Sequence, residues 1–167
     1  DLILGEGSKS APEYLNSNIV KTYNDYRTQV FDYLRKKSFD WGIFSAAAAD
    51  FQPESVFDGK LSSKLSKLTL ELFPTKKLID EVKKDFPDLN MATFKYEENI
   101  THKELIEIAK ERLSKKNGSQ IMVVNRAEEF ESDGTQVAWL LDSSNEPKKY
   151  VGKPIIARAI IERILGE

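Results

Sequence analysis

The stretch from Thr101 to Asn125 limits most strongly how this chain can fold. Thr101 and Glu104 have the spacing of a capping box. The spacing predicts a helix over 102–116, with Leu105, Ile108, Ala109 and Leu113 as its inward stripe. Asn117-Gly118 ends that helix, and Ile121–Val124 follows as an unbroken apolar run. A strand that is apolar on both faces needs cover on both faces. The rest of the chain repeats the alternation. Short apolar strands are predicted at Leu2–Leu4, Ile19–Thr22, Trp41–Ser45, Leu68–Phe73, Met91–Phe94 and Val137–Leu141. Helices are predicted over 25–37, capped by Asn24, from Pro74-Thr75 to about Phe86, and from Pro154 onward. Residues 9–17 and 142–147 read as loop and polar turn. The pattern predicts an α/β sandwich with a mostly parallel central sheet. In such folds ligands sit at the carboxyl ends of the strands.

At 167 residues the chain is expected to form one domain, residues 1–167. A net charge of −2 excludes a protein that coats nucleic acid by bulk charge. With no cysteine, disulfides, thiolate nucleophiles and Cys-ligated metals are excluded. His102 is the single histidine, so a multi-histidine metal site is excluded as well. No apolar run reaches the roughly 18 residues that span a bilayer, and no signal peptide is visible. A cytoplasmic setting with no membrane partner is the expectation. The chain opens at Asp1 inside an apolar run, as a piece of a longer chain would.

Several residues could carry chemistry. Gly5-Glu6-Gly7-Ser8 follows a strand, as a phosphate loop would. It lacks the third glycine of the dinucleotide fingerprint, and no helix is predicted there, so an ordinary turn is expected. Ala46–Ala49 would let a ligand approach the backbone closely, and Asp50 could accept from a sugar hydroxyl or hold a metal. Tight packing with Asp50 as a cap explains the same residues. The irregular stretch 52–67 carries Lys60 and Lys64, which suit a polyphosphate or simply a solvated loop. Lys110, Arg112, Lys115 and Lys116 cluster where cations complement a helix dipole. His102 stands among Glu97, Glu98 and Glu104, and a surface position is expected rather than a metal site. Trp139 and Phe44 are expected in the core.

Taken in order, these segments resemble one family, phosphopantothenoylcysteine synthetase. Ser45-Ala-Ala-Ala-Ala-Asp50-Phe-Gln-Pro53 is similar to its Ala-Ala-Val-Ala/Ser-Asp-Tyr/Phe-x-Pro motif. Gly59-Lys60-Leu-Ser-Ser-Lys64 resembles its Gly-Lys-Ile-Lys/Ser-Ser stretch. Leu68-Thr-Leu-Glu-Leu followed by Pro74-Thr-Lys-Lys-Leu-Ile79 resembles its Leu-x-Leu-x-Leu-x-x-Thr-Pro-Lys-Ile-Ile segment. Phe94-Lys95-Tyr-Glu97, Ala109-Lys-Glu-Arg-Leu and Ile121-Met-Val-Val-Asn125 match three further motifs. The resemblance spans essentially the whole chain. Asn125-Arg126 stands where the family has Asn-Asp, and Arg112 where it has lysine. The family's opening strand, its Gly-Gly-Thr turn and an asparagine-containing loop have no counterpart, so the chain is expected to start near the family's second strand.

The resemblance implies a Rossmann-like three-layer fold, usually dimeric, and a ligase reaction. A nucleoside triphosphate (CTP or ATP, with Mg2+) activates the carboxylate of 4′-phosphopantothenate as an acyl-nucleotide, and cysteine displaces the nucleotide. It implies nucleotide contacts at Phe44, Ser45, Ala46, Asp50, Lys60, Phe73, Pro74, Thr75, Lys76, Phe94, Arg112 and Lys116. Lys60 is the implied catalytic residue, Lys64 and Asn125 are supporting residues, and no metal ligand is assigned. A flavin-dependent decarboxylase, fused or separate, is an implied partner, with no flavin in this chain. Residues 52–73 are expected at a homodimer interface, with Lys64, Lys67 and Glu71 limiting open-ended pairing. Two other readings stay open: a noncatalytic nucleotide-binding fragment of this fold, and a plain Rossmann-like oxidoreductase.

Overall fold

The computed structural model describes residues 1–55, 57–115, 118–142 and 146–166. In chain order its first elements are β1 (Leu2–Gly5), β2 (Ser17–Val20), α1 (Tyr23–Lys36), β3 (Trp41–Phe44), β4 (Phe51–Pro53), β5 (Leu72–Pro74) and α2 (Leu78–Asp85). They are followed by β6 (Asn90–Glu97), α3 (His102–Ser114), β7 (Ile121–Arg126), β8 (Val137–Asp142), β9 (Lys148–Val151) and α4 (Lys153–Leu165). The contacts fall into two compact units, Asp1–Tyr33 with Ala46–Glu81, and Leu34–Ser45 with Val82–Glu167. Among the described residues, no helix is long and apolar enough to cross a membrane.

In the first unit β1 and β2 pair in parallel, Leu2 opposite Ser17 and Gly5 opposite Val20. Helix α1 is capped by Thr22 rather than by Asn24. The Thr22 hydroxyl accepts the Asp25 N–H at 3.1 Å, and the Asp25 carboxylate accepts the Thr22 N–H at 2.9 Å. This reciprocal pair satisfies two backbone donors at once, whereas a lone asparagine satisfies one. Strands β4 and β5 are antiparallel, with Phe51 opposite Pro74.

The expected strand Leu68–Phe73 forms only from Leu72, and Leu68 and Leu70 are exposed. Alternation places apolar side chains on one face, but a strand also needs a backbone partner, and β4 supplies only three residues. The helix expected at Pro74-Thr75 begins at Leu78, because Pro74 and Thr75 are used otherwise. Pro74 pairs with Phe51, and the Thr75 N–H donates to the Asp50 carbonyl at 2.8 Å.

The second unit holds a five-stranded sheet in the order β3-β6-β7-β8-β9. Its first three strands are parallel, while β8 and β9 join antiparallel, so the sheet is mixed rather than mostly parallel. The reason is the connection after β7. Residues 127–136 contain only the 3-10 turn Ala127–Glu129 and a loop. A parallel crossover needs about a dozen or more residues, usually including a helix. Strand β9 was not expected. Its lysines Lys148 and Lys149 are exposed, as suits an edge strand. Residues 143–145 of the expected 142–147 turn lie outside the described residues.

The layers follow the strand alternation. On one face Ala92, Ile121, Val123, Ala138 and Leu140 pack with Ile156, Ala159 and Ile160 of α4. On the other face Met122, Val124 and Leu141 pack with Leu105 and Ala109 of α3. Ile121–Val124 is thus covered on both sides, as its unbroken apolar run requires. The capping box of α3 forms as expected, with Thr101 and Glu104 bonded reciprocally. Helix α4 starts with Pro154 in its first turn, after Gly152 at φ 86°. That left-handed backbone favours glycine.

Candidate functional site

In the second unit the three parallel strands end at Phe44, at Phe94 and the residues after it, and at Asn125. Phe44 is opposite Thr93, and Tyr96 is opposite Asn125. The Phe44 ring folds back over Gly42. A Cβ at position 42 would lie 2.7 Å from that ring, so glycine there makes room for it. Phe94 packs partly buried against the core facing α4. Asn125 is one of the few buried polar residues, at 6% exposure. Ser45 follows Phe44 outside the strand. Arg112 lies in the last turn of α3. That helix links the parallel strands β6 and β7, so it runs against them and its last turn returns to the amino end of β7. It is therefore not brought beside Phe94 and Asn125. Lys116 lies outside the described residues.

In the first unit, Ala46–Ala49 and Asp50 form exposed chain without regular structure. The fold brings this stretch against Phe73–Lys76. The Thr75 hydroxyl donates to the Ala49 carbonyl at 2.6 Å, while its N–H takes the Asp50 carbonyl. The Tyr23 hydroxyl donates to the Lys76 carbonyl. Burial, then the nearby Glu81 carboxylate, raises the Tyr23 hydroxyl above its usual pKa, against the pull of Arg27. Arg27 itself forks onto Glu81 at 2.8 and 3.0 Å. The Asp50 carboxylate ion-pairs with Lys77, a residue not singled out from the sequence. Adjacent lysines at 76 and 77 were visible, but which one reaches Asp50 depends on where α2 begins. Lys60 and Lys64 are exposed in the irregular segment, where the Lys64 N–H donates to the Ser62 hydroxyl at 3.2 Å. Gly5–Ser8 is an ordinary turn with a 3.1 Å bond from the Ser8 N–H to the Gly5 carbonyl, and no helix follows it.

The second unit also holds a polar cluster that sequence reasoning missed. Glu129 accepts the Trp139 indole N–H at 2.7 Å and the His102 Nδ1–H at 2.8 Å. Arg126 Nε lies 3.0 Å from the same carboxylate as an ion pair, although its N–H is not aligned for a hydrogen bond. The His102 ring rests 4.4 Å from the Trp139 ring. Burial pushes the Glu129 carboxyl up, but Trp139, Arg126 and His102 outweigh it and hold the group below its usual pKa. His102 is thus bound into a structural network. Among the described residues no group of three or more His, Asp or Glu side chains could hold a metal ion.

Residues 1–166 match the family described as DNA/pantothenate metabolism flavoprotein C-terminal domain. The coenzyme A biosynthesis bifunctional protein CoaBC of Methanocaldococcus jannaschii is 32% identical over 153 residues, covering 92% of this chain and 37% of that protein. The CoaBC protein of Thermococcus kodakarensis is 32% identical over 129 residues, covering 77% of this chain and 32% of that protein. The chain thus spans about a third of the length of these curated relatives. The crystal structure of the DNA/pantothenate metabolism flavoprotein from Streptococcus pneumoniae superposes with a TM-score of 0.80 at 22% identity, over 98% of this chain and 79% of that one. That likeness establishes the fold. The match over residues 1–166 and the identity to CoaBC bear out the resemblance read from the motifs, and the chain belongs to the DNA/pantothenate metabolism flavoprotein C-terminal domain family.

Proposed function

We propose that this domain is the ligase of coenzyme A biosynthesis that joins 4′-phosphopantothenate to cysteine. The carboxylate of 4′-phosphopantothenate attacks the α-phosphorus of CTP or ATP. An acyl-nucleotide forms and pyrophosphate leaves. The cysteine amine then attacks the acyl carbonyl, forming the amide and releasing the nucleoside monophosphate.

The observation that supports this reading most is the first-unit arrangement in which Ala49 and Asp50 accept both donors of Thr75. Two segments that resemble the family's nucleotide motifs are thereby in contact, although some 25 positions separate them in the chain. Lys60, exposed on the irregular segment, neutralises triphosphate charge as pyrophosphate departs. Ser45, Ala46, Asp50 and Phe73–Lys76 line the nucleotide, with Lys64 supporting. Phe44, Phe94 and Asn125, at the carboxyl ends of the second unit's strands, enter this reading through the family resemblance. Arg112 and Lys116 enter this reading only through the family resemblance. The described side chains build no dedicated metal cage. Mg2+ is read as arriving with the triphosphate, since it is commonly held through substrate phosphates and one or two carboxylates. The fold is read as Rossmann-like, the setting as cytoplasmic, and a flavin-dependent decarboxylase as the partner that consumes the product.

The test is pyrophosphate release from CTP or ATP with 4′-phosphopantothenate, measured before cysteine is added. The reading expects a burst of pyrophosphate that depends on 4′-phosphopantothenate, then amide formation on adding cysteine. No pyrophosphate with either nucleotide would refute catalysis by this chain and leave a binding role.

A further inference from the structure

In the first unit, three consecutive residues ahead of α2 are each tied down, and one tie comes from outside the segments that resemble nucleotide motifs. Thr75 gives its N–H to the Asp50 carbonyl at 2.8 Å and its hydroxyl to the Ala49 carbonyl at 2.6 Å. The Lys77 ammonium pairs with the Asp50 carboxylate. Between these two, the Lys76 carbonyl accepts the Tyr23 hydroxyl. Helix α2 closes its first turn on the next carbonyl, that of Lys77, which accepts the Asp80 and Glu81 N–H groups at 3.1 and 3.2 Å. A carbonyl one residue ahead of a helix receives no intrahelical donor. The Tyr23 hydroxyl therefore fixes the plane of the peptide from which Lys77 departs. Tyr23 itself stands on a locked platform. It is the half-buried first residue of α1, beside the reciprocal Thr22–Asp25 cap. One turn on, Arg27 forks onto Glu81 of α2 and lies 5.0 Å from the buried Phe31 ring.

We propose that Tyr23 is a positioning residue of the nucleotide site: by holding the Lys76 carbonyl it aims Lys77 at Asp50, and so sets the carboxylate that meets the nucleotide. The inference rests on the nucleotide-dependent reading above and adds to it a residue that touches no ligand. An exposed ion pair between two flexible side chains is weak and does not hold one geometry by itself. Here both side chains are more than half exposed, at 56% and 66%. Fixing the backbone on which the lysine stands removes part of that freedom, and a binding group held by such a supporting contact needs less ordering when the ligand arrives. Holding α1 against α2 does not require the hydroxyl, because the Arg27–Glu81 fork already joins the two helices. The hydroxyl acts instead on the peptide between Thr75 and Lys77, the two residues bonded to the Ala49–Asp50 stretch.

The test is a double-mutant cycle read by calorimetric titration with CTP and ATP: wild type, Tyr23→Phe, Lys77→Met and the double variant. Tyr23→Phe keeps the ring and loses only the hydroxyl. It should bind whichever nucleotide the wild type prefers about 2–12-fold more weakly, the size of one neutral hydrogen bond. In the Lys77→Met background the same change should alter affinity by less than about twofold, because the ammonium it positions is gone. Circular dichroism of each variant establishes that folded protein is titrated, and Lys77→Gln carries the same arm if Lys77→Met does not fold. Unchanged nucleotide affinity in Tyr23→Phe would overturn the assignment. So would an equal loss with and without Lys77, the additive result of a tyrosine that merely stabilises the unit. If the wild type binds neither nucleotide, the nucleotide reading itself fails and this inference falls with it.

Discussion

Replacing Glu129 by glutamine should destabilise the second unit in a way that can be worked out from its three neighbours. Trp139 and His102 donate N–H groups to one carboxylate at 2.7 and 2.8 Å, and Arg126 Nε ion-pairs with it at 3.0 Å. Glutamine keeps the volume but offers a single acceptor oxygen, and its amide nitrogen is a donor facing donors. A hydrogen bond to a charged group contributes about 1.5–3 kcal/mol. Stranding a buried charge by removing its partner costs about 3–5 kcal/mol. Arg126 is not stranded, because its NH1 donates to the Ile100 carbonyl at 2.5 Å and lies 3.8 Å from Glu128. The lower range therefore applies, about 2 kcal/mol. In a chain of this length that is a drop in Tm of about 4–8 °C.

Urea denaturation followed by tryptophan fluorescence measures the loss directly. Both tryptophans, Trp41 and Trp139, lie in the second unit, so the signal reports that unit. The pH dependence supplies a second check. The folded-state pKa of Glu129 is below its unfolded value. Its contribution is therefore fully present above the usual glutamate value, about 4.3, and is lost as pH falls through the folded pKa. The gap between wild type and Glu129→Gln should narrow in that acid window. A difference under about 0.5 kcal/mol at pH 7, the scatter of ordinary surface substitutions, would refute the reasoning. A gap that stays constant into acid would refute it as well.

Lys60→Ala should slow acyl-nucleotide formation about 10²–10³-fold, the loss typical of one electrostatic stabiliser; single-turnover pyrophosphate release checks it, and a near-normal rate rejects the role. Asp50→Asn should weaken nucleotide binding with little change in Tm, because the Lys77 pair it breaks is exposed and such pairs contribute at most about 1 kcal/mol. Normal binding with a Tm several degrees lower would make Asp50 a structural anchor for α2 instead. The segment 57–73 exposes Phe57, Leu61, Leu65, Leu68, Leu70, Leu72 and Phe73, an apolar run that a second copy of the chain would cover. Light scattering should therefore give about twice the 19.0 kDa mass, and a monomer at high concentration would contradict this interface.

What the sequence determined by itself is what local chemistry controls. Thr101 and Glu104 are three residues apart, so their capping box forms wherever the chain goes next. Pro154 opens α4 because its ring lacks the N–H that a helix interior needs. The unbroken run Ile121–Val124 announced a strand covered on both faces, and the order of motifs announced the family. Where two local solutions competed, the reading failed by a few residues: Asn24 lost to Thr22 because Asp25 could bond back. Tertiary structure decided whatever depends on distant partners. Leu68 and Leu70 alternate correctly, yet among the described residues no strand pairs with them. The direction of β8 followed from the connection after β7, which hydrophobic pattern does not encode. Lys77 rather than Lys76 took Asp50 because Thr75 is tied to Ala49, which delays α2 until Leu78. The Glu129 cluster joins residues from the start of α3, the end of β7 and the middle of β8. A buried polar atom without an aligned hydrogen bond, such as Arg126 Nε, is invisible in sequence for the same reason. Whether a polar side chain is satisfied depends on every element that packs around it, and only the folded chain brings those elements together.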